Sequence, residues 1–290
     1  RADGALIEGG GLSLDGEPEI AGGGRGIIIV RLVSRTIAYD AHSSLAVLLP
    51  NAAVRLSQAL ATLWTADGLP AVEGLDTGVR PPTPDQLAVV ADVPLERLED
   101  YRREWNVSRF VGGRDGRDAI HALTFSPTLN IQGLWSGFIG EGDKTITPAE
   151  ASARLDIRIV PDQAPEEVVD ALRRHLATHG FDDLEVRTEE AERAWWTPPS
   201  HPLLDAAAEA SEAVVGKAVV RYVSMPGTVP MYQVCATHRV PCTTLGAGRD
   251  DCHAHAPDEN VRLEDLGTAA RITARFLDLF AGLAEVPPVA

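Results

Sequence analysis

One stretch of ten residues limits the folds open to this chain more than any other. In 151–160, Ala153, Leu155, Ile157 and Ile159 alternate with Ser152, Arg154, Asp156 and Arg158. A period of two puts the first set on one face of a strand and the second on the other, so this strand lies in a sheet with one buried and one polar face. A helix pattern follows. Pro165 stands in its first turn with Glu166 and Glu167, Val168, Leu172 and Leu176 make a stripe, and Gly180 stops it. Residues 184–187 suit another strand. Upstream, 27–33 is β-branched and almost continuously apolar, and Leu56, Leu60 and Leu63 mark one face of a helix over 51–64. The order strand, helix, strand, strand, helix, strand over 26–190 specifies a two-layer α+β domain. A Pro- and Gly-rich loop, a polar helix at 94–105 and a Gly/Arg/Asp-rich segment at 111–118 read as a helical insertion in that domain, over about 67–122.

After Trp196 the texture changes. Ser200-His201-Pro202 opens a helix that ends near Gly216, and 219–223 and 240–245 read as short buried strands. Residues 262–283 form a long amphipathic helix with Leu266, Ala270, Phe276, Phe280 and Leu283 as its expected buried stripe. Strands alternating with helices specify an α/β domain. About two domains in 290 residues agrees with the usual ~100–200 residues per domain.

Charge narrows the function. Acidic residues outnumber basic ones 42 to 26, and a formal charge of -16 argues against a nucleic-acid binder or adsorption to anionic lipid. No run approaches the ~20 apolar residues of a membrane helix. Three cysteines make no disulfide framework, and with no signal-peptide pattern they fit a cytoplasmic protein. The first residue is Arg1, not Met, and Ala5-Leu6-Ile7 follows almost at once as a strand. Either the start has been processed or this is a piece of a longer protein.

Ligand-type residues are densest in Asp250-Asp251-Cys252-His253-Ala254-His255-Ala256-Pro257-Asp258-Glu259, between a strand and the final helix. Two uses fit: metal ligation, as histidine and carboxylates suggest, or helix capping by Asp258 or Asn260. Cys235 and Cys242 sit in apolar context as core thiols. His42, in Asp40-Ala41-His42-Ser43-Ser44, follows a strand and can reach a substrate or be a solvated histidine. Arg158 lies on the polar face of its strand. No G-x-S-x-G elbow, P-loop or G-x-G-x-x-G is present.

Several of these segments together resemble the di-zinc metallopeptidase and amidohydrolase superfamily of carnosine dipeptidases, aminoacylases, acetylornithine deacetylases and glutamate carboxypeptidases. The landmarks are Glu8 followed by Pro18-Glu19-Ile20 and Arg25-Gly26; Asp40-Ala41-His42-Ser43; Lys144-Thr145-Ile146-Thr147-Pro148 with Ile157-Arg158-Ile159-Val160-Pro161; and Gly227-Thr228-Val229-Pro230 with His255 and Glu259. The ordered set spans nearly the whole chain.

The resemblance implies a zinc-peptidase-like α/β catalytic domain, here 1–25 and 191–290, and an inserted ferredoxin-like α+β lid and dimerisation domain, here 26–190. It implies hydrolysis of a peptide or N-acyl amino acid amide bond with two zinc ions, cobalt or manganese being alternatives. Glu8 and His255 match metal ligands, with His253 as the rival of His255. His42 matches a lid histidine that reaches a dimer partner's active site and holds the oxyanion. Thr145 matches a second lid residue acting across the dimer, Arg158 the arginine on the substrate carboxylate, and Gly227 and Thr228 the substrate-binding turn. The family's His-x-Asp segment, bridging Asp and Glu-Glu pair precede the Glu8 landmark and have no match here. The resulting expectation is a fragment inactive on its own. Two other readings remain open: a non-catalytic dimerisation or regulatory protein, and a mononuclear metal module on Asp251, His253 and His255.

Overall fold

The computed structural model describes residues 2–249 and 251–289, so Arg1 and Asp250 lie outside the described residues. The chain divides into two compact units, one of residues 1–26, 80–126 and 194–290, the other of 27–79 and 127–193.

The second unit is built on the alternating strand. It spans Glu150–Ile159 in a four-stranded sheet ordered Glu185–Glu192, Gly26–Arg35, Glu150–Ile159, Thr128–Ser136. The outer pairs are antiparallel, Val186 opposite Leu32 and Leu129 opposite Ile157. Helices Ala52–Thr62 and Pro165–Thr178 cover one face. Leu56, Leu60, Val168, Leu172 and Leu176 pack there on Ile28, Val30, Leu32, Leu155, Ile157 and Ile159. Asn51 caps the first helix through Ala53 N–H at 2.8 Å, and Pro165 opens the second. The other face holds ion pairs, with Glu189 bonded to Arg31 at 2.8 Å and Arg154 at 2.7 Å.

The β-α-β-β-α-β order agrees with the sequence expectation, but one strand is longer than its apolar core. The strand at Glu185–Glu192 runs on through Thr188, Glu189, Glu190 and Glu192, pairing with Ile27–Ile29 past a register shift. As an edge strand it can be polar along its length, which hides it from a hydrophobicity pattern. Buried Gln163 ties down the loop at 67–79: its Nε2 donates to Leu75 O at 2.9 Å and Thr77 O at 3.1 Å, and its Oε1 accepts from Val160 N–H.

In the first unit, Ala5–Ile7 pairs in parallel with Cys242–Thr244. A four-stranded sheet is ordered Val220–Tyr222, Pro18–Ala21, Gly11–Leu12, Gly248–Arg249, and Trp195–Trp196 pairs with Gly23–Gly24. Helices Pro202–Val215 and Leu263–Ala281 share a core of Leu203, Ala207, Ala210, Ile272 and Phe276. His201 Nδ1 accepts from Leu203 N–H and Gly216 ends the first helix in the left-handed conformation (φ 75°). The stripe expected for the last helix is half right. Phe276 is buried and Phe280 and Leu283 pack against the core, but Leu266 and Ala270 are exposed because they line a groove described below.

A second correction concerns the inserted helices, expected within the 26–190 domain. Residues 80–126 belong to the first unit. Helices Pro84–Asp92, Glu96–Glu104 and Gly116–Phe125 bury Val90, Val93, Leu98, Ile120 and Phe125 against Val223, Tyr222 and Trp196, so their apolar faces follow that unit. Among the described residues no helix is long and apolar enough to cross a membrane.

Two outcomes follow for the second unit. Leu155 is fully buried, and Leu155→Ala is expected to cost about 2–5 kcal/mol in urea denaturation. Burial, then the neighbouring His179, holds the His175 imidazole below the ordinary histidine value. The unfolded chain, titrating near ~6.5, therefore takes up a proton before the folded one. Stability is full above that pH, falls below it, and stops falling once the folded imidazole is protonated as well. Melts at about pH 7.5 and 5.5 should show a smaller difference in His175→Gln; an unchanged difference would assign the slope elsewhere.

Candidate functional site

Ligands of parallel α/β sheets bind beyond the carboxyl ends of the strands. Glu8 stands at one such end, directly after Ala5–Ile7, and loop 245–262 leaves the other, after Cys242–Thr244. A Cβ on Gly11 would meet Gly248 O at 2.0 Å, so only glycine lets Gly248–Arg249 pair there and launch the loop from beside Glu8. Arg262 grips Asp251 at 2.5 Å, and Arg249 donates to Leu14 O at 2.8 Å. His253 (φ 56°), His255 (φ 64°) and Asp258 (φ 63°) all take left-handed backbone, a conformation that costs a non-glycine residue energy and concentrates at functional loops. Neither Asp258 nor Asn260 caps the last helix, whose first turn has no side-chain cap.

An open groove of about 690 Å³ brings Glu8 together with Cys252, Ala254 and Glu259, and its floor includes Leu266 and Ala270. His253 and His255 are exposed and are not among the residues that line it. Donors suited to a metal are therefore present, but among the described residues no three His, Cys, Asp or Glu side chains converge as a metal-holding group. These residues do not make a complete metal centre. Cys235 and Cys242 are buried thiols, with Cys242 Sγ 3.6 Å from Met231 Sδ, as core packing predicts.

In the second unit the structure brings His42 and Thr145 together. Ala41–His42 pairs antiparallel with Ile146–Thr147, and Ser43 N–H donates to Thr145 O at 3.0 Å. His42 is exposed, and its Nδ1 lies 2.8 Å from Ser44 Oγ, which leaves Nε2 facing outward from that contact. Arg158 is half-buried on the polar sheet face, 3.9 Å from Asp156. Gly227 lies in the first unit, where its carbonyl accepts from Arg25 N–H at 3.0 Å, with Thr228 beside it.

One cluster escaped sequence reasoning. Arg97, on a helix that reads as polar and exposed, is only 5% exposed in its side chain and pairs with Glu19 at 3.0 Å, Glu17 at 3.1 Å and Asp100 at 3.5 Å. Tyr222 Oη donates to Glu19 at 3.1 Å. Burial and Glu19 push the Tyr222 phenol far above its ordinary value, so it stays a donor. The one local signal was the i, i+3 spacing of Arg97 and Asp100; the strand carboxylates are far away in sequence. Beside this cluster lies a second cavity, of about 190 Å³, walled by Ile20, Val93, Ile120, Leu123 and Met225.

With this geometry in view, the chain was compared with known proteins. The family model of the peptidase dimerisation domain of M20 proteins matches residues 25–183. The Cys-Gly metallodipeptidase of Saccharomyces cerevisiae is 23% identical over 275 residues, which is 91% of this chain and 56% of the yeast protein. The chain thus spans just over half the length of that relative. Human Beta-Ala-His dipeptidase is 28% identical over 117 residues, 40% of this chain and 23% of its own. An M20 family metallo-carboxypeptidase from Sulfolobus solfataricus superposes with a TM-score of 0.86 at 31% identity, over 98% of this chain and 64% of that one. Human carnosine dipeptidase 1 shares the fold with a TM-score of 0.80. Both the lid motifs and the flanking α/β elements are accounted for by these matches: the chain belongs to the M20 metallopeptidase family, with residues 25–183 matching its peptidase dimerisation domain.

Proposed function

We propose that this chain carries the lid and part of the catalytic domain of a metal-dependent hydrolase acting on peptide or N-acyl amino acid amide bonds beside a free carboxylate. The observation that carries this reading is the 98% coverage at 31% identity by the Sulfolobus metallo-carboxypeptidase. Support also comes from the groove that Glu8 lines with Cys252, Ala254 and Glu259, the chain neighbours of His253 and His255. Glu8 and His255 each give one metal ligand, and zinc suits a carboxylate and an imidazole, with cobalt or manganese as alternatives. Arg158 offers a planar two-donor grip for a substrate carboxylate. His42, with its ring held by Ser44, and neighbouring Thr145 stabilise the oxyanion in a dimer partner's site. Gly227 and Thr228 form the turn on which substrate lies. Three free cysteines suit a reducing compartment such as the cytoplasm.

The partner is a second copy of this chain. The strand Thr128–Ser136 is a free edge of its sheet and exposes Ile131, Leu134 and Trp135. An apolar, unpaired edge is a template for another strand. Sedimentation of the protein should give a dimer, and Ile131→Lys with Leu134→Glu should give a folded monomer; a wild-type monomer would remove the dimer.

With two ligands at hand, the 290-residue chain by itself is expected to bind zinc weakly and to turn over neither dipeptides nor N-acetyl amino acids. Glu8→Gln and His255→Ala should each weaken that residual binding in competition with a chromophoric chelator. Stoichiometric tight zinc with turnover would overturn the inactivity. Binding unaffected by both substitutions would overturn the ligand assignment and favour a non-catalytic dimerisation protein.

A further inference from the structure

The cavity beside Arg97 has no part in the roles above. We infer that it is a binding site for an uncharged apolar group of leucyl to phenyl size and, on the hydrolase reading, that it accepts an apolar side chain of the substrate.

Size sets the first limit. The cavity measures about 190 Å³, and an apolar cavity of about 150 Å³ is known to hold benzene. Its walls come from Ile20, Val93, Ile120, Leu123 and Met225.

Polar groups at its margin are engaged within the protein. Thr124 Oγ1 donates to Ile120 O at 2.9 Å, Thr244 Oγ1 accepts from Ala21 N–H at 2.9 Å, and Tyr222 donates to Glu19. At the charged end Glu19 and Arg97 line the cavity, and the guanidinium of Arg97 is already met by Glu19, Glu17 and Asp100. A carboxylate entering here meets repulsion at low dielectric, whereas an alkyl or phenyl group loses nothing.

Position links the cavity to the proposed chemistry. Gly10 borders both this cavity and the groove that holds Glu8. The Met225 methyl lies 3.4 Å from where a Cβ of Gly9 would be and 3.3 Å from that of Gly227. The cavity therefore opens between the end of the Glu8 strand and the substrate turn, with a pliable thioether as its wall. Glycine at 9 and 227 leaves room for that methyl.

The chain has two methionines, so a protein labelled with ¹³C at the methionine methyl gives two signals, and Met225→Leu assigns them. Met231 is 1% exposed, in a separate core, and serves as the internal control. Titration of the 290-residue protein with N-acetyl-leucinamide should move the Met225 signal and leave Met231 in place. The aspartyl analogue with a free side-chain carboxylate should bind at least about tenfold more weakly. Leu123→Trp, at a part-exposed wall position, should abolish the response with an unchanged melting curve, and Ile120→Phe is the alternative if that variant unfolds. A silent Met225, an equal response to both probes, or a response that survives in a folded, filled variant overturns the site. The two wild-type titrations decide this even if neither variant folds. Because the readout is a methyl shift and not hydrolysis, a silent cavity leaves the hydrolase reading intact. A Met225 response together with zinc binding unaffected by Glu8→Gln and His255→Ala would overturn the metal-ligand assignment and keep the site.

Discussion

The organisation of the first unit depends on Arg25. Its N–H fixes the Gly227 carbonyl, its Nη1 donates to Ser126 O at 2.9 Å, and its Nη2 donates to Leu123 O. A guanidinium sunk to 2% exposure is tolerable only where acceptors meet it. It finds them at the carboxyl end of the helix Gly116–Phe125, where carbonyls lack intrahelical partners and the helix dipole is negative. One residue thereby holds the turn at Gly227 through its backbone N–H and the end of the inserted helices through its guanidinium. The segment from 80 to 126 belongs to this unit for the same reason: its last carbonyls are part of the solvation shell of Arg25.

The distribution of the proposed roles mirrors the two units. Glu8, Gly227, Thr228 and His255 lie in the first, and His42, Thr145 and Arg158 in the second. The first group sits on turns and loops that leave short parallel strands, the second on or beside a broad sheet with a deep apolar layer behind it. Binding loops are commonly mobile and are positioned by rigid scaffolds. The segment 251–262 has three left-handed non-glycine residues, whereas the described residues of the second unit have one, Asp162 (φ 71°).

Much of this was legible in the residues because local and tertiary preferences agree. The alternation around Leu155 and Ile157, the stripe of Val168, Leu172 and Leu176, and the stop at Gly180 each state locally what the sheet and its helices need globally. The same holds for the pairing that sets His42 beside Thr145, where the two motifs were visible but their adjacency was not. What stayed hidden is polar and long-range. Arg97 looks like any surface arginine until Glu19 closes on it from 78 positions away in sequence. Glu190 and Glu192 look like loop residues until Ile29 and Ile27 supply their backbone partners. Leu266 and Ala270 have the right period for a core and instead wall a groove, because period reports a helix face and not what covers it.

The sheet of the second unit has edges of opposite character. One is Thr128–Ser136, with Leu134 and Trp135 exposed; the other, Glu185–Glu192, carries Glu185, Glu189, Glu190 and Glu192 against Arg187 alone. Ion pairing with Arg187 on its own strand and with Arg35 on the neighbouring strand keeps Glu185 ionised down to about 2. The two edges therefore differ as docking surfaces: a strand arriving at the first meets apolar side chains, and one arriving at the second must desolvate a row of ion pairs.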